Sequence, residues 1–294
     1  MDGFKRIGLD GASVALSSFG LVFLLYGFST FSSSERPLVA LILIVAGAGT
    51  LAMFVRRQLA LEAPMLMVRV FKSRQYAAGV ACVGITQAAI VSMNVLIPMF
   101  VQSSLGYFAT VSGLVSMPGA LLSAFLSLLA GRAFDRMGIR KLALSGALCS
   151  LVGAVLFCTL GTGASVVAVS VLFAMVLGGA QFVIGPCNAW VLNSLDNDVI
   201  QHANALNQTI GQACASLGTA AVISLTAFAG LFCASGASDA ELVFVGHHVA
   251  FFGIAALVLV LTLLAVFTLK DKPSQTPNAA MRAFGDEAGP TATS

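Results

Sequence analysis

Residues 111–141 read VSGLVSMPGALLSAFLSLLAGRAFDRMGIRK, and this stretch sets the structural class of the protein. Its first part, Val111–Ala130, contains no Asp, Glu, Lys or Arg, whereas Gly131–Lys141 contains four basic residues and one aspartate. A hydrocarbon core about 30 Å thick needs about 20 predominantly apolar residues in a helix. The stretch therefore predicts a transmembrane helix that ends in a basic segment outside the hydrocarbon.

Seven other stretches have the same charge-free, apolar character. The chain is 58% hydrophobic and only 9% charged, which excludes an ordinary soluble protein of 294 residues. Only helices and closed barrels satisfy their backbone hydrogen bonds in lipid, and the runs lack the two-residue alternation of a barrel strand. We therefore predict an all-α polytopic membrane protein with eight transmembrane helices. The eight stretches are Ala12–Phe31, Leu38–Val55, Tyr76–Val101, Val111–Ala130, Leu142–Leu160, Ser165–Leu192, Ile210–Cys233 and Val249–Leu269.

The basic residues are distributed unevenly between the two sides of the membrane. When the eight spans are threaded alternately, fourteen of the fifteen Lys and Arg residues fall on one side, and only Arg36 lies opposite. Cytoplasmic loops carry the excess of Lys and Arg. This predicts a multi-pass protein of the plasma (inner) membrane with both termini in the cytoplasm. The net charge of +3 is scattered over short loops, so the lipid bilayer is an expected partner and nucleic acid is not.

Composition divides the chain into four regions. Residues 1–55 form two linker transmembrane helices, and residues 56–75 mix basic and apolar side chains as a cytoplasmic interfacial segment does. Residues 76–269 hold a six-helix bundle with short connections. Residues 270–294 are rich in Pro, Ala, Thr and acidic residues, which predicts a disordered cytoplasmic tail.

The connection at residues 131–141 has a distinctive order of residues. Gly131 would let two helices meet closely, and Gly138 would permit a tight turn. Asp135 would precede the next helix, where its carboxylate meets positive backbone amides and neighbouring guanidinium groups. A basic loop that happens to contain an aspartate is the alternative interpretation. The residues concerned are Gly131, Asp135, Arg136, Gly138, Arg140 and Lys141.

This order resembles the loop signature of the major facilitator superfamily, in the copy carried by the second half of such proteins. Further residues resemble the EmrB/QacA branch, the fourteen-helix drug:proton antiporters. The resemblance implies the C-terminal half of a major facilitator fold, preceded by two linker helices. It also implies that the loop is a conformational latch that biases the outward-open against the inward-open state. These further residues are Pro64, Leu66, Phe71, Gln102, Leu105-Gly106-Tyr107, Gly113-Leu114, Pro118, Asn204-Ala205-Leu206-Asn207, Gly211 and Leu217-Gly218-Thr219.

The resemblance covers the linker helices and the second bundle but not a first bundle. It implies one half of a proton-coupled multidrug efflux transporter, which needs an N-terminal six-helix bundle to work. Its substrates would be amphipathic or cationic small-molecule drugs, exchanged for protons in the complete transporter. No predicted span contains an acid, and intramembrane carboxylates normally mark proton coupling. The alternative is a non-transporting subunit or a truncated fragment that scaffolds or modulates a full-length transporter.

Uncharged polar residues within the spans are the candidates for the substrate pathway. Amides in hydrocarbon seek partners, so each should face protein or water. Hydrogen bonding between helices and lining of a cavity both remain open for them. In the third helix Pro98 would loosen the turn above two of these amides, which favours the cavity. The candidates are Gln87, Asn94, Gln181, Asn188, Asn204, Gln208 and Gln212.

No enzyme constellation is present in the sequence. There is no Ser/His/Asp arrangement at one depth, no H-E-x-x-H, no phosphate-binding loop and no metal-spaced Cys/His cluster. We therefore expect no catalytic activity, no cofactor and no metal. His202 is expected beside a cytoplasmic loop, and the pair His247-His248 at the outer start of the last helix, where an interfacial position is favoured over a proton relay.

Overall fold

The computed structural model describes residues 11–32, 37–60, 73–193, 197–229 and 238–269. Within these ranges the chain is helical without strands, and eight helices are long and apolar enough to cross a membrane. This confirms the predicted fold class and a multi-pass membrane protein. The helices are α1 (Gly11–Ser32), α2 (Pro37–Ala60), α3 (Arg74–Met99), α4 (Ala109–Met137), α5 (Ile139–Phe157), α6 (Val166–Leu192), α7 (Asn197–Ser224) and α8 (Asp239–Thr268).

Helices α1 and α2 form a closely packed hairpin. A methyl group at Gly27 would lie 2.7 Å from Ile44 Cγ1, and one at Gly47 would lie 2.8 Å from the backbone nitrogen of Leu24. Such small residues let two helix backbones approach in lipid. The hairpin joins the rest of the molecule through α1 and α7, where Ser224 Oγ donates to the carbonyl oxygen of Phe28 at 2.9 Å.

The other six helices form a bundle around α3, which packs against α6, α7 and α8. Helix α5 lies between α6 and α8, and α4 packs mainly on α6. Large aromatic side chains fill the core, where the rings of Phe157 and Phe251 stack with centroids 5.0 Å apart. Helix α4 is peripheral, and its Leu121 and Leu128 are exposed.

The expected loop at residues 131–141 is wrong for most of its length. Helix α4 continues to Met137, and only Gly138 (φ 76°, ψ 168°) separates it from α5. Asp135 therefore lies in the last turn of α4, where the helix dipole opposes a carboxylate rather than favouring it. Gly131 makes no close helix contact either, because a methyl group there would meet no atom within 4 Å. The tight turn expected at Gly138 is confirmed by its positive φ.

Several helices extend beyond the spans expected from the sequence. A helix can continue past the hydrocarbon when its end is capped or its side chains are polar. Helix α7 begins at Asn197 rather than Ile210. Helix α8 begins at Asp239 rather than Val249, and the side chains of Ser238 and Glu241 cap its first turn reciprocally. The histidine pair therefore lies inside α8 rather than at its start.

Helix α3 ends irregularly and the regions on either side of the bundle are only partly described. Pro98 lies inside α3 and precedes a π-helical turn, Phe100–Ser104. Of the interfacial segment expected at residues 56–75, residues 56–60 belong to α2 and residues 74–75 to α3. Residues 61–72 lie outside the described part of the chain, as do the tail 270–294 and the side chain of His202.

Candidate substrate-facing site

Helix α7 presents two distinct faces, one exposed and polar and the other buried. Residues four apart in a helix lie on one side, and four such residues of α7 are exposed. A second face, which includes Gly211 and Ala215, is buried against α3. Helical spacing alone puts all of these residues on neighbouring sides of one helix, and the structure divides them between two faces. The exposed residues are Asn204, Gln208, Gln212 and Ser216.

The buried face of α7 contains Asn207, which was not among the substrate-pathway candidates predicted from the sequence. Asn207 is 2% exposed, and its Nδ2 donates to Asn188 Oδ1 on α6 at 2.5 Å. The other side-chain atom, Asn207 Oδ1, is buried without a hydrogen-bond partner among the described residues. The candidate Asn188 is thus engaged in a bond between helices. Asn207 follows the candidate Asn204 by three residues, and this helical spacing is the signal in the sequence that points to Asn207.

Gln181 is also engaged between helices. Its Nε2 donates to Ser123 Oγ on α4 at 2.8 Å, which joins α6 to the peripheral helix. For Gln181, as for Asn188, the structure therefore gives the amide a protein partner.

The two candidates on α3 differ in their surroundings. Gln87 is half-buried beside α7, and a methyl group at Gly211 would lie 3.8 Å from its Cγ. Asn94 is exposed, and its Nδ2 donates to the carbonyl oxygen of Ile90 in its own helix at 2.9 Å. The structure therefore brings Gln87, but not Gln181, close to the buried face of α7.

The residues of the expected latch surround the single-residue connection between α4 and α5. Asp135, Arg136, Arg140 and Lys141 are all exposed there. The structure thus gathers these charges at one end of the bundle, although on helix ends rather than in a loop.

A groove lies between α1 and α7 beside the amide face. Its volume is about 460 Å³, and Leu21 and Leu25 of α1 face Gln208, Gln212 and Ser216 of α7 across it. Charged side chains are absent from its described lining. The groove can therefore offer apolar contact and neutral hydrogen-bonding groups, but no ion pair.

Residues 55–219 of this sequence match the Major Facilitator Superfamily. The chain belongs to this superfamily. The match runs from within α2 to within α7, so it includes the α4–α5 connection and all of the candidate residues. The predicted family is therefore confirmed.

Individual relatives of this superfamily member carry transporter names. An uncharacterized MFS-type transporter, YcnB of Bacillus subtilis, is 30% identical over 92% of this chain and 57% of its own length. The lincomycin resistance protein LmrB of Listeria monocytogenes is 30% identical over 74% of this chain and 46% of its own length. The multidrug export protein EmrB of Escherichia coli is 29% identical over 38% of this chain and 21% of its own. The chain spans about half the length of the first two.

Proposed function

We propose that this chain forms one wall of a drug-export pathway in the membrane, which a second six-helix bundle completes. The substrates are amphipathic or cationic small molecules, and export is coupled to protons. The observation that carries the proposal is the row of exposed polar side chains on α7, from Asn204 to Ser216.

The position of these amides within a membrane helix supports the proposal. A polar group that faces hydrocarbon without a partner is costly, because lipid offers no hydrogen bonds. Neither Gln208 nor Gln212 bonds to another described residue, and both are exposed. This face is therefore suited to water, to a second bundle or to a polar group of a ligand rather than to lipid acyl chains.

The substrate class is supported by the relatives, whose names include lincomycin resistance and multidrug export. Proton coupling needs a titratable group within the pathway. The acids of the described helices, Asp135, Asp198, Asp239 and Glu241, lie in the first or last turns of their helices. We therefore assign the coupling carboxylate to the second bundle.

We also propose an orientation for the chain in the membrane and a gating role for the charges around Gly138. We infer the cytoplasmic termini from the asymmetry of the basic residues and the plasma membrane location from the similarity to bacterial transport proteins. With that orientation Gly138 and the charges around it lie on the cytoplasmic side. There Asp135 with Arg136, Arg140 and Lys141 acts as a latch between outward-open and inward-open states.

A reconstituted pair of halves tests the pathway. The first six helices of LmrB from Listeria monocytogenes are co-expressed with this chain, and lincomycin efflux from cells is measured. We expect a one-to-one complex that exports lincomycin and a loss of at least tenfold in Gln208→Leu/Gln212→Leu. The matched control is Gln102→Leu, because the Gln102 amide binds Ser112 on α4 instead of facing the α7 row. Efflux that is equal in the double variant and the control would overturn the assignment.

The same experiment separates the alternative role. A chain that only scaffolds or modulates a full-length transporter would bind intact LmrB but not its isolated first half. Its amide substitutions would leave efflux by that intact transporter unchanged.

A further inference from the structure

The groove between α1 and α7 lies to one side of a hydrogen bond that joins the two helices. Rising residue numbers in α1 correspond to rising numbers in α7, so the helices run parallel. The bond from Ser224 Oγ to Phe28 holds their C-terminal ends together. The groove lies on the N-terminal side of this bond, between Leu21 and Leu25 on one wall and residues 208–216 on the other.

The two walls of the groove differ in chemistry. Leu21 and Leu25 supply aliphatic surface, whereas Gln208 and Gln212, one turn apart, supply two amides. Thr209 does not add a free donor, because its hydroxyl donates to Ala205 of its own helix at 2.9 Å. Both amides are left with donors and acceptors that no other described residue engages.

We propose that this groove is a lateral binding site for uncharged amphipathic molecules that enter from the bilayer. The inference rests on the proposed function and specifies the chemistry of its first contact. A carbonyl or hydroxyl group of the ligand bonds to the amides of Gln208 and Gln212, and its rings or alkyl groups lie against Leu21 and Leu25. The linker helix α1 is thereby part of the substrate site rather than a spacer.

The volume of the groove and the chemistry of its lining indicate which ligands fit. The volume of about 460 Å³ lies within the range of roughly 300–1,000 Å³ that is usual for small-molecule pockets. An amide both donates and accepts a hydrogen bond without carrying charge. A cation in the groove would be desolvated without a counter-ion, which is unfavourable inside the membrane. The groove therefore favours neutral ligands over cationic ones of the same shape.

Photo-cross-linking of the purified chain in phospholipid nanodiscs tests this site. The probes are 4-benzoylbenzyl alcohol and its trimethylammonium analogue, and labelled peptides are mapped by mass spectrometry. We expect saturable labelling by the alcohol in the peptides that carry Leu21, Leu25 and residues 208–216. Labelling by the ammonium analogue should be at least tenfold weaker.

Two variants and one control identify the groove as the labelled site. Leu21→Trp fills it and Gln208→Leu/Gln212→Leu removes its polar wall, so each should lower saturable labelling at least fivefold. Val22→Trp is the matched control, because Val22 is outside the groove lining and 57% exposed, and it should label like the native chain. Labelling that does not saturate, that is equal for both probes, or that survives Leu21→Trp overturns the proposal.

The groove and the export pathway can fail separately. Loss of efflux in Gln208→Leu/Gln212→Leu without any saturable labelling of the native chain would overturn the groove alone. Saturable labelling at the groove, with efflux that does not depend on the two glutamines, would overturn the pathway alone.

Discussion

Replacing Gly218 with alanine tests whether close packing against α3 holds the amide face of α7 in position. A methyl group at Gly218 would lie 2.4 Å from Ala88 Cβ and 3.2 Å from Ala88 Cα. Carbon atoms in contact are normally about 3.5–4.0 Å apart, so the helices must separate by about 1 Å. Ala88 is 4% exposed and its methyl group has no other rotamer to adopt.

The expected cost follows from two opposing terms. Overpacking of a close contact costs about 1–3 kcal/mol. Alanine is favoured over glycine inside a helix by about 0.5–1 kcal/mol. We therefore expect Gly218→Ala to lower the free energy of unfolding by up to about 2.5 kcal/mol. The separation should also weaken the 3.4 Å hydroxyl contact between Ser92 and Thr219.

Equilibrium unfolding in mixed micelles measures this cost, and a second substitution tests its cause. Ala88→Gly removes the opposing methyl group, so Gly218→Ala/Ala88→Gly should regain most of the lost stability while the helix propensities of the two changes cancel. Gly113→Ala is the control, because a methyl group there would meet no atom within 4 Å. If the costs of the two single substitutions simply add in the double variant, the close-packing explanation is refuted.

Three further outcomes are expected. In a variant without native cysteines, a cysteine introduced at Ser34 should react with an impermeant maleimide added outside the cell. A cysteine introduced at Ser274 should react only when the maleimide is added inside. The reverse pattern would show that the topology is inverted. In the two-half assembly, Asp135→Asn should slow export at least fivefold while drug affinity changes less than twofold, because a latch acts on the equilibrium between states. Asp239→Asn, at the other end of the bundle, is the control. A collapse of drug affinity in Asp135→Asn would contradict the latch. The 294 residues alone, in proteoliposomes with an imposed pH gradient, should not move a fluorescent cationic dye. A charged group costs at least about 2.5–3.5 kcal/mol at the bilayer centre, so acids outside the hydrocarbon cannot take the place of a membrane-embedded carboxylate. Gradient-dependent movement of the dye by the native chain but not by the double variant His247→Gln/His248→Gln would instead assign the coupling to the histidine pair.

The membrane spans could be predicted from the sequence because the hydrocarbon core imposes a minimum length on each apolar run. Their ends could not, because a helix extends beyond the hydrocarbon wherever its last turn remains favourable in water. Helix α4 continues through charged residues to Met137 for this reason, and α7 begins at Asn197. The spacing at 131–141 predicted a loop, and only the tight turn at Gly138 is confirmed.

The candidate site was predictable as a set of amides but not as a surface. Helical spacing shows which residues of one helix share a side, yet not which neighbour covers that side. Asn188 and Gln181 proved to bond with Asn207 and Ser123, whereas Gln208 stayed exposed. The groove depends on contact between α1 and α7, which are separated by most of the chain, and no local pattern encodes that contact.

The single residue between α4 and α5 makes these two helices a lever. Because only Gly138 separates them, neither helix can shift along its axis without carrying the end of the other. Helix α5 has 19 residues and is therefore about 28 Å long at a rise of 1.5 Å per residue. A rotation of roughly 10° at Gly138 would displace the far end of α5 by about 5 Å over that length. If the charges around Gly138 were to change its backbone angles, the far end of α5 would therefore move further than the turn itself.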